Sequence, residues 1–291
     1  MAARQRPKAQ PTNPGSGQTV ALSPHEEHEV RERATPRAAV VFETIRREGE
    51  NELERPTLAL AASGLAAGLS MGFSLVATGI IRALLPEEPW RPLLVNLGYT
   101  IGFLFVVMGR QQLFTENTLT VVLPLLDDPK KWPVVLKVAR LWGIVLAANV
   151  AGAAIFAYVV AHTAIFPDDV KRAFDAIGTE AATPSFGILF LRGIFAGWLL
   201  ALMVWLLPST ESARPWIIII ITYFVGLGAF SHVVAGSVEV LYTVAHGDRT
   251  WLDYLGAYAL PTLIGNTLGG VSLVALLNYA QVVGEGPPTT E

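Results

Sequence analysis

The sequence predicts an all-α membrane protein whose six transmembrane helices form a 3+3 inverted repeat, with the second and fifth helices broken. Three observations predict it. More than half of the 291 residues are apolar and 15% are charged, whereas soluble domains are roughly a quarter charged. Six apolar stretches approach or exceed the roughly 20 residues that a hydrocarbon core of about 30 Å requires. The two halves of the chain also share a weak self-similarity at one fixed offset.

Residues 1–55 hold nine basic and nine acidic residues among Pro, Gly, Ser and Thr, a composition that cannot bury a core. They read as a polar, largely disordered cytoplasmic tail, with Glu26–Arg55 able to form a charged helix on the membrane surface or in solvent. The first apolar run follows this tail, so a signal peptide is not expected. A six-helix transmembrane domain is expected over 56–284 and a short C-terminal tail over 285–291.

The expected crossings are Leu58–Leu85, Leu93–Leu126 with a polar interruption, Val134–His162, Phe186–Leu207, Trp216–Ala245 with another interruption, and Gly256–Gln281. Connectors with Pro or charge separate them, the longest running from Pro167 to Pro184. An even number of crossings puts both termini on one side. That side receives the basic tail, Lys130, Lys131, Lys137, Arg140 and Arg214, against Arg82, Arg91, Lys171, Arg172 and Arg249 opposite. The bias places the termini in the cytoplasm, with the body in the inner (plasma) membrane. Gly64, Ala67, Gly68 and Gly72, and later Gly143, Asn149, Gly152 and Ala153, form small-residue stripes that let helices approach closely in lipid.

The self-similarity runs at an offset of 117, as from Thr115 to His232. It carries Asn149 and Gly152 onto Asn266 and Gly269, and Gly109 onto Gly226. Three crossings per half make the repeats run in opposite directions. The interruptions fall at Arg110–Asn117 and Phe230–His232, and irregular backbone at that depth must line a cavity or be buried in protein. Two broken helices in corresponding positions point to a central solute site.

His232 is the deepest histidine, and an ionisable group there reads as functional by default, able to offer a proton or a hydrogen bond to a small anion. Thr115 can turn its hydroxyl to a solute or to the loop backbone. Leu113 and Phe114 on one side, and Phe224, Val225 and Phe230 on the other, are candidates for apolar constrictions, with simple packing as the alternative. Arg110, Gln111, Gln112 and Glu116 surround the first break, and Glu239 and Arg192 lie in or near crossings. They form a pore vestibule or neutralise one another. With a net charge of −3 and no cysteine, no nucleic-acid partner, thiolate metal site or cofactor is expected. No nucleophile or metal cluster accompanies His232, so an enzyme is not expected either. An aquaporin-like neutral-solute pore is the alternative, but its paired Asn-Pro-Ala turns are missing.

At these residues the chain resembles the formate/nitrite transporter family. Leu113-Phe114-Thr115 matches that family's Leu-Phe-Thr loop, Ala229 to Gly236 resembles its histidine loop, and Ile264-Gly265-Asn266 extends the likeness over about residues 40–282. The resemblance implies a homopentamer of aquaporin-like protomers, each with its own pore for small monovalent anions such as formate, nitrite or hydrosulfide. It implies Thr115 and His232 at the central site, Tyr99, Phe103 and Leu113 at one constriction, and Val225 or Phe224 at the other. Ser231 and Gly236 stand where the family often has Glu and Asn, Gly197 replaces a polar Asn, and Arg110 a small residue. These departures set the chain nearer a less characterised branch than the dedicated formate channels.

Overall fold

The computed structural model describes residues 23–26, 36–127 and 131–285; the expectations for the remaining parts of the tails and for Lys130 lie outside the described residues. Ser23–Glu26 form one turn in which Glu26 accepts hydrogen bonds from the Ser23 amide and hydroxyl. The main body begins at Pro36, and all its described secondary structure is helical.

α1 (Ala38–Leu53) falls within the Glu26–Arg55 segment expected to be able to form a charged helix. Val41, Phe42, Ile45, Gly49 and Leu53 recur on one face at helical spacing and are buried. Charged pairs such as Arg46–Glu43 at 2.7 Å hold the other face. A Cβ on Gly49 would lie 2.0 Å from the Thr120 carbonyl oxygen, so α1 lies backbone to backbone on the body.

α2 (Thr57–Leu84) and α3 (Arg91–Met108) follow, then two short helices, α4 (Phe114–Thr120) and α5 (Leu123–Asp127). α6 is Lys131–His162. α7 (Asp168–Ala182) occupies what was expected to be a connector. Val170, Ala173, Phe174, Ile177 and Gly178 form its buried stripe, and Asp168 and Asp169 sit in the first turn, where carboxylates favour a helix start. α8 (Phe186–Leu206), α9 (Arg214–Leu227) and α10 (Ala235–His246) lead to α11 (Asp253–Gly284). α11 widens into π-helical turns at Asp253–Ala259 and Gly269–Leu276. The first run sits just ahead of Pro261, which has no N–H to give the preceding turn.

Five segments among the described residues are long and apolar enough to cross a membrane: α2, α3, α6, α8 with its following turn, and α11. Phe114–Leu126 and α9 are apolar but shorter. The small-residue stripes do bring backbones together. A Cβ on Gly68 of α2 would lie 2.1 Å from the carbonyl oxygen of Asn149 on α6, and one on Gly197 of α8 the same distance from that of Asn266 on α11. Gly197 therefore has no room for any side chain. Gly143, by contrast, faces open space.

Candidate solute site between two helix breaks

α3 and α9 end in the same way. Beyond α3, Gln111 N–H reaches back to Val106 O and Arg110 takes a φ of 50°; beyond α9, Phe230 N–H reaches Val225 O and Ala229 takes 48°. A positive φ at residues with a side chain costs of order 1–2 kcal/mol, so each turn needs support. Two asparagines supply it. Asn149 accepts from Phe114 N–H at 2.9 Å and donates to Gln112 O and Gly64 O, both at 2.8 Å. Asn266 accepts from Val233 N–H at 2.8 Å and donates to Ser231 O at 2.8 Å and Gly193 O at 2.9 Å.

These bonds pair Phe114 with Val233 and Gln112 with Ser231, which corrects the register read at one offset. Break and asparagine are 35 residues apart in the first half and 33 in the second. By this register Leu113 is the counterpart of His232, Val234 that of Thr115, and Gly228, not Gly226, that of Gly109.

Thr115 and His232 nevertheless meet. Their Oγ1 and Nε2 atoms are 2.8 Å apart and both residues are buried. Ala235 N–H donates to His232 Nδ1 at 3.0 Å. The lone pair of a neutral ring is thus on Nδ1 and its proton on Nε2, where it faces the threonine oxygen. The Phe103 ring stands edge-on to the imidazole, 5.0 Å between centroids. Tyr258 OH donates to His232 O at 3.1 Å, and a Cβ on Gly236 would lie 1.6 Å from that hydroxyl. The tyrosine fills space that an asparagine at 236 would need.

A cavity of about 520 Å³ reaches His232. Arg82, Arg91 and Glu180 line it from helix ends, while Tyr99, Val225, Phe230, His232, Glu239 and Tyr258 contribute from farther along their elements. Arg82 and Glu180 form a two-pronged ion pair at 2.5 and 2.7 Å. Phe103 and Thr115 are fully buried beside His232, Leu113 is fully buried as well, and none of the three lines that cavity. Phe114 packs against Trp142, with centroids 5.7 Å apart.

Phe224 is a correction. It is 58% exposed on the outer face, because α9 turns Val225 inward in its place. Arg110 is exposed as well and does not line the cavity. Glu116 lies across from the acidic residues Glu48 and Glu52 of α1, and its buried Oε1 has no hydrogen-bond partner among the described residues. Tyr258 was not anticipated, since nothing in the sequence links it to position 236.

Away from the cavity, Asp175, His246 and Asp248 bring potential metal-ligand atoms within 4.8 Å of one another. His246 Nδ1 and Asp248 Oδ2 already pair at 2.7 Å. Burial, and then the adjacent Asp248, hold the Asp175 carboxyl above its ordinary range, while the His246 hydrogen bond holds Asp248 below.

The family model described as Formate/nitrite transporter matches residues 39–280. "Inner membrane protein YfdC" of Escherichia coli (strain K12) is 45% identical over 251 residues, covering 86% of this chain and 81% of its own. Two solved structures share the fold. An "FNT family ion channel" superposes with a TM-score of 0.69 at 21% identity, covering 84% of this chain and 96% of its own. A "Pentameric formate channel with formate bound" gives 0.64 at 18% identity, covering 82% and 99%. The chain belongs to the formate/nitrite transporter family of helical membrane transporters and channels.

Proposed function

We propose that this chain is a channel or transporter for a small monovalent weak-acid anion, of the size of formate or nitrite, passing between the two breaks. The observation that carries the proposal is the buried Thr115–His232 contact of 2.8 Å at a cavity reaching in from outside. In this reading α3 with α4 and α5, and α9 with α10, are two interrupted crossings of a six-helix, 3+3 inverted repeat. The matching asparagine bonds support it. Both termini lie in the cytoplasm, the cavity opens to the other side of the inner membrane, and five copies assemble with one route each. The transmembrane domain then includes α1 and starts at Pro36. Glu116 faces the cytoplasmic side of the breaks.

The route is polar at its mouth and apolar at its narrows. Arg82, Arg91 and Arg192 draw an anion into the vestibule. Tyr99, Phe103 and Leu113 form one constriction and Val225 the other, and both disfavour a hydrated charge. Between them Thr115 O–H and His232 Nε2–H offer hydrogen bonds in place of water. A weak acid lowers its barrier by taking up a proton and crossing the narrows uncharged.

The test is stopped-flow uptake of formate, nitrite, hydrosulfide, acetate and water in proteoliposomes at two pH values. Uptake of one or more of the weak acids, faster at the lower pH and lost in His232→Ala, is expected. Unchanged uptake and pH profile in His232→Ala would remove the histidine from the route, and water flux alone would favour a neutral-solute pore.

A further inference from the structure

We propose that Glu239 is the proton-exchange group of the vestibule, protonating an arriving carboxylate before the neutral acid moves on toward Thr115 and His232. This inference rests on the function proposed above and deepens it. Glu239 stands about one helical turn into α10, the helix that follows His232, and lines the same cavity. Among the described residues its carboxyl has neither a hydrogen-bond nor an ion-pair partner. Its backbone is fixed, because a Cβ on Gly178 of α7 would lie 2.3 Å from the Glu239 carbonyl oxygen.

Among the described residues no cation acts on its carboxyl. α7 presents Glu180, the charge that acts on Glu239 through space. Arg82 of α2 is held by that same Glu180, and Arg91 of α3 by Glu87 and the Arg82 carbonyl. α6 carries Lys137 and Arg140 at its far end, bound to Glu54 and the Arg55 carbonyl, and its His162 stacks on Tyr158. Tyr99 of α3 and Tyr258 of α11 bring phenols near enough to feel Glu239, and Tyr254 is tied to Ser237 at 2.7 Å. Arg192 of α8 lines the cavity wall.

An unpaired carboxylate at this depth is costly and would repel the very anion the route serves. A carboxylic acid does neither. It also supplies what His232 lacks. The neutral imidazole has one proton, on Nε2, and giving it up would leave an imidazolate, so the ring donates a hydrogen bond but not the proton. In the exchange the O–H bond of Glu239 breaks and one forms on the solute carboxylate. The Glu239 carboxylate then takes a proton from vestibule water, and no electrons change hands.

The full chain in proteoliposomes tests this, with formate and acetate influx read by an internal pH dye from mildly acidic to mildly alkaline conditions. Glu239→Gln is expected to slow influx at least about tenfold near neutrality and to approach the unmodified rate in acid, where bulk water supplies the neutral solute. Glu239→Asp, which keeps a carboxyl, is expected to restore the profile. Unaltered rate and profile in Glu239→Gln would overturn the inference while leaving the proposed function standing; an unmodified chain no faster than empty vesicles would overturn both. Glu180→Gln leaves Glu239 in place and covers the case in which Glu239→Gln does not assemble. Loss of the neighbouring negative charge is expected to move the midpoint of the pH profile to lower pH, and an unmoved midpoint counts against the proposal.

Discussion

Thr115 carries the lighter half of the central pair and is the cleaner one to probe. Its hydroxyl oxygen accepts from His232 Nε2–H, and its own proton has no acceptor among the described residues. Thr115→Val keeps the branched shape and removes the bond to His232. Formate flux by stopped-flow is expected to fall about tenfold, the worth of roughly one net hydrogen bond, with no loss of folded protein. Position 236 answers to a different force. Gly236→Ala puts a methyl group into the Tyr258 hydroxyl, and overpacking of this kind costs about 1–3 kcal/mol. A lowered Tm is expected, partly regained when Tyr258→Phe removes the colliding oxygen. The contact between His232 and Thr115 was legible because a polar side chain in an apolar run stands out, while that of Tyr258 was not, because aromatic residues are ordinary in such helices.

Among the elements, the two asparagines and α1 make separable predictions. Asn149→Ala and Asn266→Ala each leave buried backbone groups at a break without partners. Each is expected to cost about 1–3 kcal/mol per orphaned group, read as lowered thermal stability, and to a similar extent in the two halves. Ile45 of α1 is fully buried, and Ile45→Ala is expected to cost about 2–5 kcal/mol, read as faster hydrogen exchange over Ala38–Leu53. α1 also has a pH dependence. Hydrogen bonds from Arg46 and then Arg47 pull the Glu43 carboxyl from 4.5 down to about 2. A depressed carboxyl stabilises the fold above its unfolded value and loses that contribution as pH falls. Exchange protection of α1 is therefore expected to hold down to about pH 4.5 and decline toward about pH 2, a decline that Glu43→Gln removes. The effect is small because more than a third of the side chain is exposed, where solvent screens the pair. α1 and α7 show why legibility was uneven. Both are too polar to register as crossings, yet both carry a buried stripe at helical spacing that a period-based reading resolves. The two asparagines in like surroundings were plain in the sequence, but their differing separations of 35 and 33 residues from the amides they bind were not.

For the molecule as a whole, the outer surface carries large apolar side chains such as Leu97, Phe105, Leu191, Trp198 and Ile220. Lipid and neighbouring copies are the surroundings such a surface suits. In detergent, native mass spectrometry is expected to find five chains, and dissociation to monomers under gentle conditions would remove the proposed assembly. Hydropathy located the long apolar spans because bilayer thickness sets a length that composition reveals; it could not see which polar pieces belong to the same packed unit. Practical work on the protein meets that distinction at once. A shortened version trimmed to start at Leu58 would keep every segment a hydropathy plot calls membranous, yet strip the cover from Leu119, Val122 and Leu123. The greasy underside thus laid bare would favour clumping over insertion, whatever sequence tag was put in its place.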